Sequence, residues 1–177
     1  YKGMGTMNNR WWMDPILLGA PVSAYGVYRN GGKKVKEFKC DFDFIGINHY
    51  EAFNYSLWGG DKNVDRSKLR KNSLGWVIDE RSLYWTVKFI YERYHLPVMI
   101  TENGVSLDDQ PNGRGEVIDT ERCRALEGFL KNLARAIDEG IPVLGYQHWS
   151  LMDNFEWAEG YEPRFGLIYV DYKTGER

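Results

Sequence analysis

The stretch VMITENG, residues 98 to 104, carries a run of Val, Met and Ile to a single carboxylate, Glu102, and breaks off at Asn103-Gly104. A carboxylate at the end of a buried apolar segment suits a nucleophile or a general acid or base, because a strand fixes its direction of approach. An Asn-Gly pair also marks a turn, and a glutamate beside a turn is commonly just solvated. Two other segments end in the same manner. DFDFIGINHY, residues 41 to 50, closes on Asn48, His49 and Tyr50, and PVLGYQHWS, residues 142 to 150, closes on Gln147, His148 and Trp149.

The segment that follows, WSLMDNFEWAEGYEPRFGLIYVDY, is chemically denser. Trp149, Trp157 and Phe165 alternate there with Asp153, Glu156 and Glu159. Sugars need that mixture, since their C–H faces pack on aromatic rings while vicinal hydroxyls donate to carboxylates. The aromatic share of the whole chain, 15% with 7 Trp and 12 Tyr, points the same way. A surface loop carrying a few core tryptophans is the alternative. The final RFGLIYVDY alternates like a small hairpin.

The elements that would position these groups follow from periodicity. In residues 79 to 94, Leu83, Val87, Ile90 and Tyr94 fall on one helical face, with Asp79 as N-cap and Pro97 as the stop. Asp119 opens a second helix with the stripe Leu126, Phe129, Leu130, Leu133, Ala134 and Ile137, closed by Gly140. Strand, helix, strand, helix, strand is the order of a parallel α/β sheet, whose functional groups gather at the C-terminal strand ends. Residues 51 to 78 are weakly periodic and suited to wall a site. Trp11-Trp12 precedes DPILLG, which reads as a short helix started by Pro15 and packed by its tryptophans.

Several function classes fall away. A net charge of −2 leaves no basic excess for nucleic acid or an anionic membrane, and RSKLRK at 66 to 71 reads as a solvated loop. Cys40 and Cys123 form no disulfide framework or CxxC pair and fit a reducing, cytoplasmic compartment. His49, His95 and His148 lack metal-ligand spacing, and no apolar run approaches the ~18 residues of a membrane span. No metal or cofactor is expected. The sequence opens on YKGMGT without an initiator Met, so a leader is not judged from it.

VMITENG, DFIGINHY and GYQHWSLMDNFEWAEGYEPRFGLIYVDY together resemble family 1 glycoside hydrolases, the β-glucosidase family with a (β/α)8 TIM barrel. NRWWMDPILLG is similar to that family's stretch after its fifth strand. The resemblance implies an α/β fold, with residues 1–177 as part of one barrel domain, about strands 6 to 8. It implies a retaining, exo-acting β-glycosidase for β-glucosides or β-galactosides, or short oligosaccharides. Glu102 is then similar to the catalytic nucleophile, and Tyr50 to the tyrosine that orients it and favours its ionised form. Asn48 would shape the same pocket, and Trp149 would be the stacking floor, with a cis peptide bond to Ser150. Glu156 would hold two sugar hydroxyls, Trp157 would donate its indole N–H to a third, and Phe165 would close the apolar edge. Trp76 would line the entrance. Relatives acting on 6-phosphoglycosides carry Lys and Tyr where this chain has Pro163 and Phe165, so Glu156 implies an unphosphorylated sugar.

Retaining hydrolysis needs a second carboxyl group ~5 Å from the nucleophile. The family carries it in a TxNEP-like motif, which these 177 residues lack. Since a barrel of this kind takes ~250 residues, the chain is expected to be a partial barrel, without its N-terminal half and last helix. Alone it is expected to be inactive, with the missing half as its partner. The competing class is a sugar-binding barrel that kept Trp149, Glu156 and Trp157 without catalysis.

Overall fold

A computed structural model describes residues 10–19, 39–51 and 66–177. Three strands, β1 (Ile45–Asn48), β2 (Val98–Asn103) and β3 (Val143–His148), form a parallel sheet in the order β1-β2-β3. Helix α1 (Arg81–Tyr94) connects β1 to β2, and α2 (Thr120–Asp138) connects β2 to β3. Parallel neighbours require such crossovers, so the expected strand and helix order is the observed one.

The core lies between one sheet face and the two helices. Val98 and Ile100 are fully buried there with Leu83, Val87, Ile90 and Tyr94, the four residues whose spacing defined the first helix. That helix starts two residues later than Asp79, which still accepts the Arg81 backbone N–H. It ends before Pro97, at His95, whose φ of 54° turns the chain out of the helix. Helix α2 ends in a Schellman motif: Gly140, at φ 87°, donates to the Ile137 carbonyl and Ile141 to that of Ala136.

The apolar stripe expected on α2 is rotated in the structure. Arg122, Ala125, Phe129, Leu133 and Ala136 are buried, whereas Leu130, Ala134 and Ile137 are exposed. Two of the buried positions are small alanines, and the buried arginine disguises the inner face as polar. Trp85 and Phe89 of α1 are exposed as well. No helix among the described residues is long and apolar enough to cross a membrane.

Two further expectations are corrected. RFGLIYVDY forms no hairpin; its residues make isolated bridges, Leu107 with Arg164 and Met152 with Ile168. The short helix expected at DPILLG is present over Asp14–Leu18, as a π-helical turn with Pro15 near its start, but it continues a helical turn over Trp11–Met13, so Pro15 does not begin the helical segment. Trp12 is exposed, and the buried groups are Met13 and Asp14. Asp14 is tied instead to Arg93 and to the Tyr94 hydroxyl at the end of α1. In RSKLRK, Arg70 is anchored to Glu80 at 2.6 Å. Phe53, Tyr55 and Trp58 of the expected wall lie outside the described residues.

Candidate active site

The direction of Glu102 is set by a count of residues. Along β1, Ile47 faces Ile100 and the next residue, Asn48, faces Glu102, so Thr101 is extra on β2. Along β3, Tyr146 faces Ile100 and His148 faces Asn103, so β2 again carries one residue more than its neighbour. Burial records the result. Val98 and Ile100 are buried, Met99 and Thr101 half-buried, and then Glu102 is half-buried too, before Asn103 is buried again. Strict alternation would have sent Glu102 under the helices with Ile100; the bulge turns it to the other face.

On that face Glu102 meets Tyr50, whose hydroxyl donates to its Oε2 at 2.8 Å. Burial and the Glu102 carboxylate, with the nearby Glu156 charge, push the Tyr50 hydroxyl above the ordinary tyrosine range, so it remains a donor at neutral pH. The Tyr50 ring packs against both Phe165 and Trp76, with centroids at 5.8 and 6.0 Å, and those two rings also touch each other, at 6.4 Å. Thus Glu102, Tyr50, Phe165 and Trp76 form one cluster of a carboxylate and three aromatic rings. Asn48 stands on the adjacent strand, where its Oδ1 accepts the Thr101 hydroxyl at 2.6 Å.

Trp149 follows β3 directly. Its N–H donates to the Asn103 carbonyl at 2.9 Å, and its peptide bond to Ser150 is cis. A Cβ on Gly104 would lie 1.9 Å from the Trp149 carbonyl oxygen, so Glu102 and Trp149 are coupled by a contact that only glycine allows. Phe165 is buried, its carbonyl accepting the Ser150 N–H. Glu156 is half-buried at the start of the 3-10 turn Trp157–Glu159, with its backbone tied to Gly160. Trp157 is 82% exposed at a positive φ of 43°, so its indole is free to meet a ligand.

The carboxylates of Asp153, Glu156 and Glu159 in this lobe have different fates. Asp153 is withdrawn from any ligand: its buried carboxylate accepts Arg164 Nη1 at 2.6 Å and the backbone N–H groups of Gly166 and Val170. Arg164 in turn stacks on Tyr169 and Tyr172. Glu159 is exposed at the end of the turn. Beneath the lobe, Arg122 is almost fully buried, pairing with Asp109 and Asp119 and donating to the Arg164 carbonyl. Sequence reasoning missed these scaffold roles. A buried Arg-Asp pair has no periodic signature, and the only trace of the bulge is two polar residues in succession, Thr101-Glu102.

No group of three or more metal-ligating side chains is found among the described residues. Cys40 and Cys123 are exposed, and neither is in a disulfide.

A carboxylate and an aromatic cluster at the C-terminal ends of parallel strands define an α/β unit that matches part of the TIM-barrel glycosidase structures. The structure of a β-glucosidase from Thermotoga maritima in complex with deoxynojirimycin superposes with a TM-score of 0.85 at 34% identity, over 99% of this chain and 42% of that one. The chain belongs to glycosyl hydrolase family 1, whose family model matches residues 2–177. It is 41% identical over 157 residues to a 1,4-beta-D-glucan glucohydrolase of Thermotoga neapolitana, covering 84% of this chain and 36% of that protein. It is also 34% identical over 186 residues to a β-galactosidase of Saccharolobus solfataricus, covering 97% of this chain and 35% of the relative. The chain therefore spans well under half the length of the relatives it matches.

Proposed function

We propose that this chain contributes strands 6 to 8 of a (β/α)8 barrel that works as a retaining, exo-acting β-glycosidase on unphosphorylated β-glucosides or β-galactosides. The observation that carries the reading is the Glu102 carboxylate at a strand end, accepting the Tyr50 hydroxyl at 2.8 Å beside the Phe165 and Trp76 rings. Family membership and the β-glucosidase relatives support it.

In this reading Glu102 attacks the anomeric carbon and forms a glycosyl ester as the aglycone leaves. The departing oxygen takes a proton from a carboxyl group supplied outside these 177 residues, and the same group later activates the water that cleaves the ester. Tyr50 keeps Glu102 in one orientation, because its hydroxyl remains protonated and its ring is packed against Phe165 and Trp76. The sugar lies on Trp149, with Glu156 and Trp157 holding its hydroxyls and Phe165 bounding it. Asn48 shapes the same pocket, and Trp76 lines the entrance where the aglycone binds. The apolar side chains left exposed on the helices, Trp85 and Phe89 on α1 and Leu130 and Ile137 on α2, suit the neighbours that a closed barrel supplies. The absence of a disulfide between Cys40 and Cys123 supports a reducing, cytoplasmic setting.

The test is intact mass spectrometry of the full-length protein containing this chain, before and after a 2-deoxy-2-fluoro β-glucoside with a dinitrophenyl leaving group. One adduct on the peptide containing Glu102, absent in Glu102→Gln, is the expected result. A full-length protein that takes no label, or takes it elsewhere, overturns the assignment.

A further inference from the structure

The residue after Glu102 is fitted to hold the strand excess that turns the carboxylate outward. Asn103 is fully buried. Its Nδ2 donates to the His49 carbonyl at 2.6 Å, and its Oδ1 accepts the Tyr146 hydroxyl at 2.7 Å. Its own carbonyl accepts the Trp149 N–H at 2.9 Å. One residue therefore ties the ends of all three strands at the level where both ladders lose register.

Those bonds stand where they are needed. An extra residue interrupts the regular ladder, and buried backbone groups beside it must find partners elsewhere. The side-chain amide supplies one such partner to β1, at the carbonyl of His49, which immediately precedes Tyr50. The same side chain thus restrains the residue bearing the donor, Tyr50, and the residue bearing the acceptor, Glu102. The Glu102 carbonyl closes the arrangement by accepting the His49 N–H at 2.9 Å.

We propose that Asn103 is a positioning residue for the reaction: its buried amide locks the bulge that aims Glu102 at the sugar. The proposal rests on the reading of Glu102 as nucleophile. It implies that loss of the amide spoils the angle of attack while the sugar-holding groups after Trp149 stay in place.

The experiment uses the full-length protein and two variants, Asn103→Ala and Tyr146→Phe, the second removing one hydroxyl without changing the ring. The fluoro-glucoside reagent gives a maximal labelling rate and a half-saturating concentration, and D-glucose binding is measured separately. The maximal rate is expected to fall about 100-fold in Asn103→Ala and about 10-fold in Tyr146→Phe, as small misplacements of a reacting group do. Half-saturation and glucose affinity are expected to stay within about threefold, which a merely structural role would not achieve. Maximal rates within about twofold of the parent, or rate and glucose affinity falling together, overturn the proposal. If Asn103→Ala does not fold, Tyr146→Phe decides by the same criteria. A parent protein labelled at Glu102 with unaffected variants removes only the role of Asn103; a parent not labelled at Glu102 removes the nucleophile reading and this proposal with it.

Discussion

The strand ends around Glu102 and the lobe from Trp149 to Tyr172 lie side by side but are built differently. At the strand ends, position comes from ladders of parallel strands, a shared bulge and the fully buried Asn103. In the lobe the described backbone makes only isolated bridges and one 3-10 turn, and the buried Asp153 gathers Arg164, Gly166 and Val170 around one carboxylate. The group proposed for bond making is therefore placed by the sheet, while the groups proposed for sugar recognition are placed by an ion pair and close backbone contact. Strand-end damage should lower rates, and lobe damage should weaken binding.

The sharpest way to break this contrast is Asp153→Ala. It leaves Arg164 unpaired in a mostly buried site and should cost about 3–5 kcal/mol in urea denaturation, with glucose affinity falling alongside. Unchanged affinity would show that the lobe does not depend on its carboxylate.

Acid should weaken the strand-end side by a comparable amount. Burial lowers the pKa of His49 from 6.5 to about 4, so between those values the unfolded chain takes up a proton that the folded one refuses. Stability is therefore full above pH ~6.5 and declines as pH falls toward ~4, by about 3 kcal/mol relative to a His49→Gln variant. Equal urea midpoints for the two proteins at both pH values would remove this contribution.

Two glycines sharpen the division further. A methyl group on Gly104 meets the Trp149 carbonyl oxygen at 1.9 Å, and one on Gly166 meets the Asp153 nitrogen at 2.1 Å, so each Ala variant should lose about 1–3 kcal/mol of stability. Gly104→Ala should slow labelling of Glu102 most, whereas Gly166→Ala should weaken glucose binding most. The reverse pattern would exchange the roles of the two regions. The smallest effect belongs to Trp157→Ala: at 82% exposure its removal should change stability by less than about 0.5 kcal/mol. Glucose affinity should drop about 10-fold, or about 1.4 kcal/mol, by calorimetry.

The sheet, its two crossover helices and the clustering of Glu102 with Tyr50 were legible because each rests on a local pattern: apolar runs, a 3.6-residue period and polar strand ends. Leu83, Val87, Ile90 and Tyr94 are buried as that period requires. The α2 stripe misled because its inner face uses Ala125, Ala136 and a buried Arg122, whose value depends on Asp109 and Asp119 outside the helix. Asp153 looked like a ligand carboxylate for the same reason, since its partners lie 11 to 17 residues further on. Tertiary pairing of charges leaves no periodic trace. The alternation of RFGLIYVDY was a real strand-like signal, but its residues find partners at Ser150, Leu151 and Leu107 instead of each other.

The bulge on β2 makes the direction of its side chains a matter of parity. Thr101 and Glu102 stand on one face in succession, and Asn48 pairs with Glu102 as though Thr101 were not there. Removing Thr101 would restore strict alternation with Ile100 inward, Glu102 outward and Asn103 inward. A Thr101-deleted protein that still folds should therefore keep its label at Glu102. A line of descent can exchange or even lose the residue at this point and leave its proposed nucleophile facing the same way.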